Sequence, residues 1–143
     1  AMGSAFAVPC LENQNEVTLV GTHLEDDLIK NIKSNNNLHP ALNIELPSKL
    51  KVEKFEKLQS ILEGEVDIIV AGVSSLGIEW FVNQISKKYK KNTPMILLTK
   101  GLAIEGNELI TLSDKIKKLL KEKGHGEVNI SAIKGPCLAA GLA

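Results

Sequence analysis

Neither sign of charge prevails in this sequence. Lysine plus arginine and aspartate plus glutamate both number 17, so no net field draws the chain onto nucleic acid or an anionic membrane. Long apolar runs are missing too: none approaches the roughly 18 residues that span a bilayer, and no basic stretch followed by an apolar one opens the chain as a signal peptide would. The chain is expected to be soluble and cytosolic. Cysteine is scarce. Cys10 and Cys137 stand far apart with no CxxC or Cys-His spacing, which leaves neither a disulfide framework nor a zinc site; a reducing compartment fits, and no metal is expected.

What is present is a chain of 143 residues, 43% hydrophobic, in the size range of one ordinary globular domain able to bury a core. Its apolar residues are grouped in a regular alternation. "EVTLVG" (16–21) is a short β-branched run entered from the turn "ENQN" and reads as a buried strand. "EDDLIKNIKSNNN" spaces Leu28, Ile29 and Ile32 on one helical face, with acids in its first turn and an asparagine-rich stop. "LHPALNIELPSKL" has two prolines and no period, and reads as a loop leading to a strand at Leu50 to Val52.

The second half repeats the scheme. "EKLQSILEG" is a short helix ended by Gly64, and "VDIIVAGV" is a strand apolar enough to be covered on both faces, as in a parallel sheet. "GIEWFVNQISKKYKK" sets Ile78, Phe81, Val82, Ile85 and Tyr89 on one stripe with lysines at the end; Trp80 and Phe81 read as core. "TPMILLTK" is the next strand. "LSDKIKKLLKEKG" is a helix opened by Ser113-Asp114 and closed by Gly124, with Leu112, Ile116, Leu119 and Leu120 apolar. "VNISAIKG" is a further strand, and "GPCLAAGLA" starts another helix. Strands alternating with helices predict an α/β fold, doubly wound in the Rossmann manner, with a mainly parallel sheet and helices on both faces.

The opening "AMGSAFAVP" is either an expression scar or a helix N-terminus. In a dinucleotide-binding fold the first strand runs into G-x-G-x-x-G, whose third glycine lies at the helix start. Gly3 fits that glycine, and the end of the next strand, Gly21 to His23, falls at the ribose-reading distance beyond it. The expectation is a fold incomplete at its N-terminus, short of a first strand and two glycines, roughly 6–10 residues. The usual NAD-selecting acid is absent at Gly21-Thr22-His23, although Glu25, Asp26 and Asp27 follow; that favours NADP or dual use, with His23 near the cofactor or simply at the surface.

Three stretches, "VAGVSSLGIEWF", "ILLTKGL" and "IKGPCLAAGLA", each continue a strand at its carboxyl end, where open α/β sheets bind ligands. With Gly3 and "EVTLVGT" they resemble, over the whole chain, the N-terminal domain of NAD(P)-dependent glycerol-3-phosphate dehydrogenase; Thr-Lys-Gly-Leu followed by Gly-Pro-x-x-Ala is the specific part. The resemblance implies that Ala1, Met2 and Gly3 border the cofactor pyrophosphate, that His23, Ser74 and Ala139 lie against the cofactor, and that Lys100 touches cofactor and substrate. It implies Gly135 and Cys137 in the substrate wall. Cys137 stands where relatives usually carry Ser or Thr, and Val73-Ser74-Ser75 where many have Val-Pro-Ser. By itself, Lys100 is a cation beside a glycine at a strand end, able to reach a phosphate or polarise a carbonyl, or else a solvated loop lysine; Gly135-Pro136 is a ligand-facing backbone or a turn.

The resemblance further implies hydride transfer between a nicotinamide and glycerol 3-phosphate, giving dihydroxyacetone phosphate, in a whole protein that assembles as a homodimer and takes part in glycerophospholipid metabolism. The proton-transferring lysine belongs to a helical C-terminal domain beyond Ala143, so the catalytic residue is not in this chain and the fragment alone is expected to be inactive. Two alternatives remain at this point: another two-domain hydroxy-acid dehydrogenase, or a nucleotide-sensing Rossmann module without catalysis.

Overall fold

The computed structural model describes residues 1–136 and 138–143, arranged as two compact units, Ala1–Leu58 with Pro136–Ala143, and Gln59–Gly135. Cys137 lies outside the described residues.

In the first unit the opening stretch is helical: α1 spans Met2–Glu12. Strand β1 (Thr18–Val20) pairs in parallel with β4 (Lys51–Glu53), Leu19 opposite Val52. Between them α2 (Asp26–Ser34) begins with Asp26 and Asp27, whose charges suit the positive end of the helix, and buries Ile29 and Ile32. Ala7, Ile29, Ile32, Leu46, Leu50 and Val52 form the core, with Leu19 and Leu28 packed against it. The helix α6 (Ala139–Leu142) packs on α1.

The segment read as a loop after α2 holds a small antiparallel pair, β2 (Leu38–His39) and β3 (Ile44–Glu45). It escapes a pattern reading because each strand is two residues long; Asn43, at φ 53°, makes the turn, a conformation that asparagine tolerates.

In the second unit three parallel strands, β5 (Ile69–Ala71), β6 (Met95–Leu97) and β9 (Ile130–Ala132), lie in the order β5-β6-β9. Helix α3 (Leu58–Glu63) precedes β5, α4 (Ile78–Ile85) lies between β5 and β6, and α5 (Leu112–Glu122) between β6 and β9. The α4 stripe behaves as its spacing predicts: Ile78, Phe81, Val82, Ile85 and, beyond the helix, Tyr89 are all buried. Helix α5 buries Leu112, Ile116 and Leu120 and packs on α4 and β9.

Two expectations are corrected here. The β5 segment is not covered on both faces: Ala71 is buried, while Ile68 and Val70, on the other face, are 51% and 39% exposed. Continuous hydrophobicity does not by itself report burial on two sides. And α5 is opened by Thr111, not by Ser113-Asp114: Thr111 is the extended residue before the helix, and its Oγ1 accepts the Asp114 N–H at 3.1 Å.

An antiparallel hairpin, β7 (Leu102–Glu105) and β8 (Glu108–Thr111), precedes α5 and was not expected. The two strands are joined through Gly106 at φ 58° and Asn107. Leu102, Ile104 and Leu109 are exposed, and Ala103 and Ile110, set between them in the alternation, are half-buried. Among the described residues no helix is long and apolar enough to cross a membrane.

Candidate functional site

Because β5, β6 and β9 are parallel, their carboxyl ends share one edge, and the three segments that leave it are tied together. Backbone bonds continue past the strands: Leu98 N–H donates to Ala71 O and Ile133 N–H to Leu97 O, each at 3.0 Å. Two side chains add cross-links. The Thr99 hydroxyl, 7% exposed, donates to Val73 O at 2.6 Å. The Lys100 ammonium donates to Gly135 O at 2.5 Å. Lys100 and Gly135, 35 positions apart, are therefore in direct contact.

Each segment has the local chemistry for its path. Gly101 and Gly135 have φ of 117° and 125°, where a Cβ is strained, and each has open space where a Cβ would sit. Ser74 leaves β5 in an extended conformation and starts the 3-10 turn Ser75–Gly77; its carbonyl accepts the Gly77 N–H at 2.9 Å. A Cβ on Gly77 would approach that of Val73 to 3.3 Å, so a side chain there would have Val73 give by a small fraction of an ångström. The edge thus presents Ser74, Lys100 and Gly135 as exposed residues: a hydroxyl and a cation, the cation seated on a backbone carbonyl, of the kind suited to a phosphate or a polarised oxygen.

In the first unit Ala1 is the N-cap of α1, with Met2 and Gly3 in its first turn. The first intrahelical bond runs from Ala5 N–H to Ala1 O at 2.9 Å, and the turn has neither an acidic residue nor a side-chain cap. Its leading N–H groups point out of the helix as anion donors do. At the carboxyl ends of β1 and β4, Gly21 N–H donates to Glu53 O at 2.9 Å. His23 is exposed, with its ring 6.1 Å from that of Phe55 in an edge-on arrangement. Ala139, half-buried, begins α6.

The structure thus brings Ser74, Lys100 and Gly135 to one edge of the second unit and sets Ala1, Met2, Gly3, His23 and Ala139 in the first. The assignment to Cys137 lies outside the described residues. Sequence reasoning misses Thr99 and the capping role of Glu25. Thr99 had a signal, a hydroxyl directly after the apolar run "MILL". Glu25 had the T-x-x-E spacing of a capping box: its Oε2 accepts the Thr22 N–H at 2.8 Å. A cavity of about 360 Å³ lined by Glu79, Ile104, Glu105, Lys115, Lys118 and Glu122 shares no residue with the edge; there the Lys115 ammonium, 2.5 Å from Glu79, holds that carboxyl below its ordinary pKa.

The family described as NAD-dependent glycerol-3-phosphate dehydrogenase N-terminus matches residues 1–143. The chain belongs to this family. Among curated relatives of the glycerol-3-phosphate dehydrogenase N-terminus, the NADP(+)-dependent glycerol-3-phosphate dehydrogenase of Archaeoglobus fulgidus is 32% identical over all of this chain and 41% of its own length. The glycerol-3-phosphate dehydrogenase [NAD(P)+] of Mesoplasma florum is 30% identical over 97% of this chain and 40% of its own. The chain thus spans about two fifths of the relatives it matches. Among solved structures, glycerol-3-phosphate dehydrogenase from Coxiella burnetii superposes with a TM-score of 0.79 at 24% identity, over 99% of this chain and 40% of that one. The Saccharomyces cerevisiae enzyme does so at 0.72 and 18%, over 99% and 40%. At these identities the structures establish the fold, which is the α/β fold expected.

Proposed function

We propose that residues 1–143 form most of the dinucleotide-binding domain of a glycerol-3-phosphate dehydrogenase that transfers a hydride between glycerol 3-phosphate and dihydroxyacetone phosphate, using NAD or NADP. The observation that carries this reading is the Lys100 to Gly135 contact at 2.5 Å: the two most specific motifs, Thr-Lys-Gly-Leu and Gly-Pro-x-x-Ala, meet at one strand edge. Family membership supplies the reaction class. The strand orders β4-β1 and β5-β6-β9 correspond to strands 3-2 and 4-5-6 of the dinucleotide-binding order; in this reading strand 1 and the two leading glycines precede Ala1, and a helical substrate domain follows Ala143.

The donor set fits such a cofactor. In the first unit the uncapped, acid-free start of α1 at Ala1, Met2 and Gly3 suits a pyrophosphate; in the second, Ser74 and Lys100 offer a hydroxyl and a cation. The family resemblance also assigns His23 and Ala139 to the cofactor, and Lys100, Gly135 and Cys137 to the substrate. When bound, the nicotinamide supplies the hydride donor or acceptor. Lys100 orients the substrate phosphate or carbonyl oxygen by charge, and the lysine that exchanges the alcohol proton lies outside residues 1–143. Glu25 is engaged by the Thr22 N–H and no acid stands at 21–23, which supports use of NADP as well as NAD. The whole protein works in the cytosol as a homodimer.

The test is to mix the full-length protein with dihydroxyacetone phosphate and either NADH or NADPH and follow reduced-nicotinamide absorbance. Oxidation of at least one cofactor is expected; oxidation of neither rejects the reaction.

A further inference from the structure

Thr99 is one of three buried polar or charged residues among those described, with Ser4 and His39. A buried hydroxyl requires a partner, and this one spends its proton on a carbonyl of a different strand's loop, Val73 O at 2.6 Å. Val73 is the last residue before Ser74, where the chain turns from β5 into the 3-10 turn. Its carbonyl is held by Thr99, and the turn brings Gly77 near enough that a methyl carbon added there would stand 3.3 Å from the Val73 Cβ. On its other side Thr99 is joined by a peptide bond to Lys100. One hydroxyl therefore sets the spacing between the segment that bears Ser74 and the segment that bears Lys100.

We propose that Thr99 is a positioning residue for the dinucleotide: it touches neither cofactor nor substrate, and it holds Ser74 and Lys100 in the relative placement that lets both engage one ligand. This rests on the dinucleotide-binding reading above. Without the bond, the half-buried Val73 carbonyl exchanges a fixed partner on the Lys100 segment for water, and the tie that sets the spacing between that segment and Ser74, the next residue, is lost.

The experiment uses the full-length protein and measures the Kd of NADH and of NADPH by the fluorescence of the reduced nicotinamide, at a temperature where circular dichroism shows each variant folded. Thr99→Val keeps the shape and removes the hydroxyl; its Kd for the preferred cofactor rises by about fivefold to tenfold, the range of one net hydrogen bond. Thr99→Ser keeps the hydroxyl and binds within about twofold of the unaltered protein by the same reasoning. A folded Thr99→Val with unchanged Kd overturns the proposal, as does a Thr99→Ser as impaired as Thr99→Val. Thr99→Ala tests it should Thr99→Val fail to fold: it removes the same hydroxyl and its Kd rises likewise, and an unchanged Kd in that folded variant overturns the proposal. If the unaltered protein binds neither cofactor, the dinucleotide reading falls and this inference with it; if it binds and the variants bind equally, only the role of Thr99 falls.

Discussion

Gly21 closes β1 at a point where no side chain fits. A Cβ there would stand 2.7 Å from Ile29 Cγ1, itself in the core of the first unit, so Gly21→Ala forces Ile29 to move and costs about 1–3 kcal/mol, read from denaturant unfolding. His39 is 1% exposed; its Nδ1 accepts the Leu42 N–H at 3.3 Å, and its Nε2 is buried without a partner. Burial holds its pKa below the ordinary 6.5, opposed by its own backbone hydrogen bond and by Glu25. The unfolded chain therefore takes up the proton first. Stability is complete above the unfolded value and is lost as pH falls below it, by at most about 1.4 kcal/mol per pH unit. Unfolding midpoints taken between about pH 7.5 and 5.5 are expected to fall for the natural chain and to stay flatter for His39→Gln; equal slopes would contradict this. The exposed Glu16, Glu63 and Glu79, each lowered by a lysine hydrogen bond, lose their contribution only in more acid solution. Lys100 and Gly135 could be singled out in the sequence because the motifs that carry the family resemblance contain them, a cation and a glycine at strand ends being compatible with the roles it implies. Neither the clasp from Thr99 to Val73 nor the orphaned nitrogen of His39 could, since each depends on a neighbour far along the chain.

The elements that could be read in advance are those whose apolar positions repeat. Helices α2, α4 and α5 bury most of the residues their spacing selects, Leu28 and Leu119 being only half-buried, and β1, β5, β6 and β9 fall within the expected runs. The two hairpins could not be read in the same way. β2 and β3 are too short to alternate, while β7 and β8 carry a usable signal, apolar residues around Gly106-Asn107, in a stretch that opens with the site motif "TKGL". The helix α5 makes the clearest test of local chemistry. Thr111 Oγ1 accepts the Asp114 N–H at 3.1 Å and donates to Asp114 Oδ2 at 2.6 Å. Thr111→Ala removes this reciprocal cap and is expected to destabilise the chain by about 0.5–2 kcal/mol, with Ser113→Ala close to neutral; the reverse order in thermal unfolding would show that the helix is opened where the sequence alone suggested.

For the molecule as a whole, the parallel strands fall into two sheets in two units, and the residues assigned to a cofactor are divided between those units. Order alone predicted parallel pairing. The length and pattern of the chain predict one domain and no such division, and the covering of β5 on both faces, which that strand's composition suggests, is a second expectation that fails. The central claim is that Ser74, Lys100 and Gly135 form one ligand-facing edge. Backbone hydrogen–deuterium exchange of the full-length protein, with and without saturating NADH or NADPH, addresses it most directly. Slowed exchange in residues 73–77 and 99–102, and in 133–135 when the substrate is added, is the predicted result; binding that leaves all three segments unchanged would contradict it.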